Sequence, residues 1–151
     1  MSLEDTNKAV VRAFFDGYNE RDPEAVRETL AEGFVHRNHP AAGEADNHIY
    51  GDLHDIDEYL EVEFAYFDTF PDLAYELELL IADGDYVGCI WTAMVAYDDP
   101  HDSTTSQEMV GFSGLNFIRL EDGRIAEIWG SHDDLGLYDK LGLIDAPTRW
   151  V

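Results

Sequence analysis

The hydrophobic period changes once along this chain, and that change constrains the fold more than any single motif. Up to Phe70 the apolar residues recur at helical spacing, with one short strand among the helices; from Leu73 onward they alternate. Ser2 or Thr6 can cap a first helix with Val10, Val11, Phe14, Phe15 and Tyr18 on one face. "RDPEAVRETL" restarts a second helix. Asp22 is its N-cap, Pro23 takes the first helical position, and Val26, Thr29 and Leu30 form the inner stripe. "GFVHRNHP" reads as a short strand ended by Pro40, followed by the small-residue polar loop "AAGEADNHIYGD". Asp55 opens a third helix with Ile56, Tyr59, Leu60, Phe64 and Phe67 on one face, and Pro71 ends it.

The second half reads as strands. In "LAYELELLI", residues Leu73, Tyr75, Leu77, Leu79 and Ile81 fall on one side, and "DGD" forms a hairpin turn. Tyr86 to Tyr97 is a long strand, "DDPHDSTTSQ" a polar loop, and Glu108 to Leu120 the next strand. "EDGR" turns into Arg124 to His132, and the short helix "DLGLYDKLG" follows. Helices and strands are segregated, so the expected class is α+β. The expected architecture is a cone: a curved antiparallel sheet wrapped over three helices as an α+β barrel, with an apolar pocket at its mouth. The length of 151 residues fits one domain over 1–151.

Charge excludes several partners. The chain carries 33 acids against 9 bases, a formal net charge of -24. Clustered Lys/Arg is what phosphate backbones and anionic lipid surfaces require, so neither nucleic acid nor membrane is expected as a partner. The acids are spread over nearly every polar face, and only Lys8 and Lys140 are lysines. Such a surface resembles that of halophile proteins, because concentrated salt screens self-repulsion. A single cysteine, Cys89, lies in the apolar strand "YVGCIWTAMVAY" and reads as a buried inert thiol in a reducing, cytoplasmic setting. No apolar run approaches membrane-spanning length, and "MSLEDTNK" lacks a signal-peptide pattern.

Five stretches carry a family resemblance. "FVHRNHP", "TFPDL", "ADGDYV" followed by "WTA", "GLNFIRLEDGRIAEIW" and "DDLGLYDKLG" come in the order and spacing of the SnoaL-like polyketide cyclases. These belong to the cone-shaped superfamily of ketosteroid isomerase, scytalone dehydratase and nuclear transport factor 2. The resemblance implies that Asp133, four residues after Trp129 in "E-x-W-x-x-x-D-x-x-G-L-x-x-x-L-G", is a general acid/base, with Asp134 left as the helix cap. It also implies a histidine on the early short strand, for which His36 and His39 both stand near.

From the residues alone, two roles for Asp133 stay open: helix N-cap, or a carboxylate on the same strand face as Trp129 and Ser131. Glu127 would share that face. His36 and His39 should lie on opposite faces of their strand, one toward the pocket. His132 points away from Asp133's face, and His48, His54 and His101 read as bystanders. Trp129, Trp91, Tyr97, Phe112 and Asn116 are strand residues expected to line the cavity and bind substrate. His36, His39, Asp46 and His48 fit no metal-ligand spacing, so no metal is expected, and no cofactor is needed for the chemistry implied.

The function this implies is a cofactor-free cyclase or isomerase. A pocket Asp would move a proton beside the carbonyl of a small apolar molecule, in an aldol-type cyclisation or an isomerisation. A dehydratase or epoxide-hydrolase activity would need Asn116 or His39 to hold a water. A non-catalytic ligand-binding module is the remaining reading. Val87, Val95 and Ile118, placed on the outer sheet face, suggest a homodimer.

Overall fold

The computed structural model describes residues 1–37, 52–96 and 109–145. Their elements are α1 (Leu3–Asn19), α2 (Pro23–Glu28), β1 (Leu30–Arg37), α3 (Ile56–Thr69), β2 (Ala74–Asp83), β3 (Tyr86–Ala96), β4 (Met109–Glu121), β5 (Arg124–His132) and α4 (Asp134–Lys140). The strands form one curved sheet in the order β1-β5-β4-β3-β2. Both end strands are edges, so the sheet is unclosed and the α+β class is realised without a barrel. It is also not purely antiparallel: β1 pairs parallel with β5. Among the described residues, no helix is long and apolar enough to cross a membrane.

The helices start where their caps dictate. Ser2 forms a capping box with Asp5 at the head of α1. Asp22 caps α2 ahead of Pro23, and the Asp55 side chain accepts from the Glu58 N–H at the start of α3. Helix α1 buries Val11, Phe14, Phe15 and Tyr18 against the sheet. Leu30, expected in the stripe of α2, opens β1 instead, because the helix ends at Glu28. Gly84 (φ 55°) and Gly123 (φ 75°) supply the left-handed backbone of the β2–β3 and β4–β5 turns.

Arg21 pins the helical layer to the sheet. Its guanidinium donates to the carbonyls of Pro71 (2.8 Å) and Leu73 (2.6 Å) and stacks over the Phe67 ring at 3.8 Å. Those contacts fix the exit of α3, and hence one wall of the space beneath the sheet.

Two sequence expectations change here. A bulge between Leu77 and Leu79 breaks the alternation of β2. Leu79 and Ile81 therefore face outward, 44% and 60% exposed, while Leu80 and Ala82 turn inward. Val87, Val95 and Ile118, expected outside, are each fully buried in the core, since the inner face of β3 runs through Cys89, Trp91 and Ala93. The apolar outer face is made instead by Ile90, Met94, Leu115 and Phe117.

Candidate active site

Beneath the sheet lies a cavity of about 540 Å³. Its walls come from α1 (Phe14, Phe15, Tyr18), α3 (Tyr59, Glu63, Tyr66) and the inner sheet face (Tyr75, Trp91, Phe112). Trp91 packs edge-on against both Tyr75 (5.2 Å between centroids) and Phe112 (5.6 Å). Its indole lies over Gly114, where a Cβ would meet Trp91 Cζ2 at 2.1 Å. Only a residue without a side chain allows that ring to lie flat in the wall.

The polar groups gather where β1, β4 and β5 come together. Parallel pairing sets His36 opposite Ile128, and the His36 ring tilts against Tyr59 at 5.3 Å. Its Nδ1 is buried without a hydrogen-bond partner among the described residues. Burial above all, then the neighbouring His132, pushes its pKa down to about 4, so His36 is neutral near pH 7. Trp91 Nε1 donates to Asn116 Oδ1 at 3.3 Å, which turns the Asn116 amide group toward donation elsewhere. A Cβ on Gly130 would come within 3.2 Å of Asn116 Oδ1 and 3.9 Å of His36 Nε2, so glycine keeps the floor between them clear.

At the cavity rim His132 Nε2 lies 3.1 Å from Asp134 Oδ1. That hydrogen bond raises the His132 pKa, partial burial opposes it, and the charges of Asp134 and Glu63 add to the rise. Glu63 reaches into the cavity from α3 and accepts no hydrogen bond among the described residues. Desolvation pushes its carboxyl up to about 7, moderated by His132. Burial, with Glu63 adding to it, also drives up the phenols of Tyr59 and Tyr75 and takes Tyr66 to about 12. Tyr18 donates to the Tyr59 hydroxyl at 2.8 Å within this layer.

The expected residues divide as follows. His36, Trp91, Phe112 and Asn116 line the cavity. His39 and Tyr97 lie outside the described residues, as do His48 and His101. Asp133 does not line the cavity: its exposed carboxylate accepts the Gly136 N–H at 2.8 Å as the N-cap of α4. The cap was expected at Asp134, which is instead the first residue of the helix and faces the cavity. Trp129 is also on the other side. The inward residues of β5 are Ile128, Gly130 and His132, so Trp129 faces outward with Glu127. Out there Glu127 bridges Arg37 (2.5 Å) and Arg119 (2.9 Å), which removes the difficulty of a carboxylate in the pocket wall. Glu63 and the cavity role of His132 went unforeseen. The available signal was Tyr59, Glu63, Tyr66 and Phe70, an i, i+4, i+7, i+11 stripe in which one carboxylate interrupts aromatic residues.

The cone-like layout is matched by known proteins. The family model of the SnoaL-like polyketide cyclases matches residues 8–141. The chain belongs to that family. Among solved structures, this SnoaL-like chain is similar to AclR, a candidate hydroxylase from Streptomyces galilaeus, with TM-score 0.75 and 19% identity over 96% of this chain and 91% of the other. It is similar to a candidate SnoaL-like polyketide cyclase from Jannaschia sp. CCS1, with TM-score 0.74 and 24% identity over 97% and 96%. It is likewise similar to IdmH, a candidate polyketide cyclase from Streptomyces antibioticus, with TM-score 0.75 and 23% identity over 90% and 98%. At these identities the likeness establishes the SnoaL-like fold. No curated protein matches the chain.

Proposed function

We propose that this SnoaL-like chain moves a proton on a small apolar carbonyl compound, as in an aldol-type ring closure or an isomerisation. The observation that carries this reading is the His132–Asp134 pair on the wall of an aromatic cavity. A C–H bond beside a carbonyl ionises when a base takes the proton and donors hold the enolate oxygen. With Nε2 engaged by Asp134, His132 offers Nδ1 as the base and returns the proton as its conjugate acid. Asp134 is then the pocket aspartate, acting through His132 by fixing its tautomer and supporting its charge. The Asn116 amide and neutral His36 are the donors for the enolate oxygen. Asp133 keeps the helix cap.

The test is deuterium exchange at the α-carbon of α-tetralone and indanone, followed by NMR. The reading expects exchange above buffer that falls by about tenfold or more in His132→Gln and Asp134→Asn. Binding without exchange would make the chain a ligand-binding module.

One observation favours a second reading. Asn116 Oδ1 and His36 Nε2 flank the Cβ position that Gly130 leaves empty, two polar groups of the kind that hold a water in a dehydratase or epoxide hydrolase. Incorporation of labelled oxygen from water into product distinguishes it. The same proposal includes a homodimer through the outer sheet face. In a chain with 33 acids, no outward residue of β4 from Met109 to Phe117 is charged.

A further inference from the structure

Glu63 is the one carboxylic acid among the described cavity residues that the proton-transfer reading does not use. It projects from α3 among Tyr59, Tyr66 and Tyr75, with no hydrogen-bond partner among the described residues. Glu63 is half-buried, and a carboxylate in an aromatic cavity is stabilised by a counter-charge or a proton. The described cavity lining contains no lysine or arginine. His132, whose charge acts on Glu63, is already held by Asp134. Of the stretches outside the described residues, 38–51 and 97–108 contain no Lys or Arg, and 146–151 contains one, Arg149. With Glu63 ionised, the described lining sets two carboxylates, Glu63 and Asp134, against at most one positive charge, on His132. The rings around Glu63 present the electron-rich faces that attract organic cations.

We propose that the ligand carries a basic nitrogen, and that its cationic form sits against Glu63 among Tyr59, Tyr66 and Tyr75. Its carbonyl would then lie toward His132; this part rests on the proton-transfer reading, whereas the cation site stands on the cavity alone. Anionic ligands, including carboxylates and phosphates, are disfavoured by the same charge balance.

The experiment uses a matched pair of aromatic ketones: trimethylammonium-substituted acetophenone and its uncharged tert-butyl isostere. Both are titrated against the intact protein at fixed ionic strength, with tryptophan fluorescence reporting on Trp91 in the wall. The expected result is binding of the cation about tenfold tighter than its isostere. In Glu63→Gln that preference should fall to about unity while the isostere binds as before, which also reports an intact cavity. The surface control Glu32→Gln should keep the preference. A second readout needs no variant. Near pH 6 the largely protonated Glu63 should release a proton when the cation binds, and not when the isostere binds. Equal affinities in the unaltered protein, or a preference that survives Glu63→Gln, overturns the proposal. Deuterium exchange without a cation preference removes this inference alone. A cation preference without exchange removes the proton-transfer reading and leaves the ligand class standing.

Discussion

His132 Nε2 and Asp134 Oδ1 stand 3.1 Å apart across a turn from strand to helix, while Asp133, the residue between them, faces away and caps the helix. Three consecutive residues thus divide the cavity wall and the helix cap between them. Replacing Asp133 by Ala should cost about 1 kcal/mol of stability through loss of the cap, and Asp133→Asn much less. Neither should change α-proton exchange by more than a small factor. Asp134→Asn should show the opposite pattern, with exchange lost and the melting temperature little changed. Thermal melts and NMR exchange on the same three variants check this.

The pH dependence of stability follows from two groups with opposite signs. Glu63 titrates near 4.5 unfolded and about 7 folded. Between those values the folded chain holds a proton the unfolded chain has released, so stability falls as pH rises through this window. Glu63→Gln should therefore match the parent near pH 4 and exceed it near pH 8, by about 2 kcal/mol after allowing for solvent reaching the cavity. His36 titrates near 6.5 unfolded and about 4 folded. There the unfolded chain binds the extra proton, so stability is lost as pH falls from 6.5 toward 4. His36→Gln should flatten that acidic limb. Urea titrations across the pH range would show both limbs.

Gly114 and Trp91 should prove inseparable. A methyl group at position 114 would overlap the indole at 2.1 Å from Cζ2. Gly114→Ala should cost about 1–3 kcal/mol through overpacking and move Trp91 into the cavity. Chemical denaturation gives the first quantity, and a fall in affinity for the uncharged ketone, with a shifted tryptophan emission, gives the second.

Salt should matter more than it does for most domains of this size. With a net charge of -24 and acids on nearly every polar face, self-repulsion in dilute buffer is weakly screened. The melting temperature should rise steadily from dilute buffer into molar KCl. Full stability at low ionic strength would remove the expected salt adaptation.

The outer face predicts its own variant. Phe117 is 64% exposed and Leu115 55%, beside Ile90 and Met94. Phe117→Glu should convert a dimer to a monomer in analytical ultracentrifugation without altering the fold seen by circular dichroism.

Much of the fold was legible in the sequence because periodicity reports which face of an element is buried. Asp22, Pro23 and Asp55 placed two helix starts, and Gly84 and Gly123 placed both hairpins. The misplaced residues trace to breaks in that periodicity. The bulge in β2 reversed Leu79 and Ile81. Trp129 as a pocket residue implies one phase for β5, whereas the inward series runs through Ile128, Gly130 and His132. The exchange of roles between Asp133 and Asp134 has the same origin, since either can cap and only the backbone's exit angle decides. Glu63 was hidden by abundance: in a chain with 33 acids, one carboxylate within an aromatic stripe resembles the rest of the surface.

The parallel pairing of β1 with β5 has a further consequence. It brings the His36 and His132 ends of these strands to one end of the sheet, and the turns at Gly84 and Gly123 lie at the other. Register is set at the hairpin end, and the two cavity histidines are presented at the opposite end. Side chains at the histidine end can therefore change while the hairpins preserve the frame, a separation that makes this architecture permissive to new chemistries.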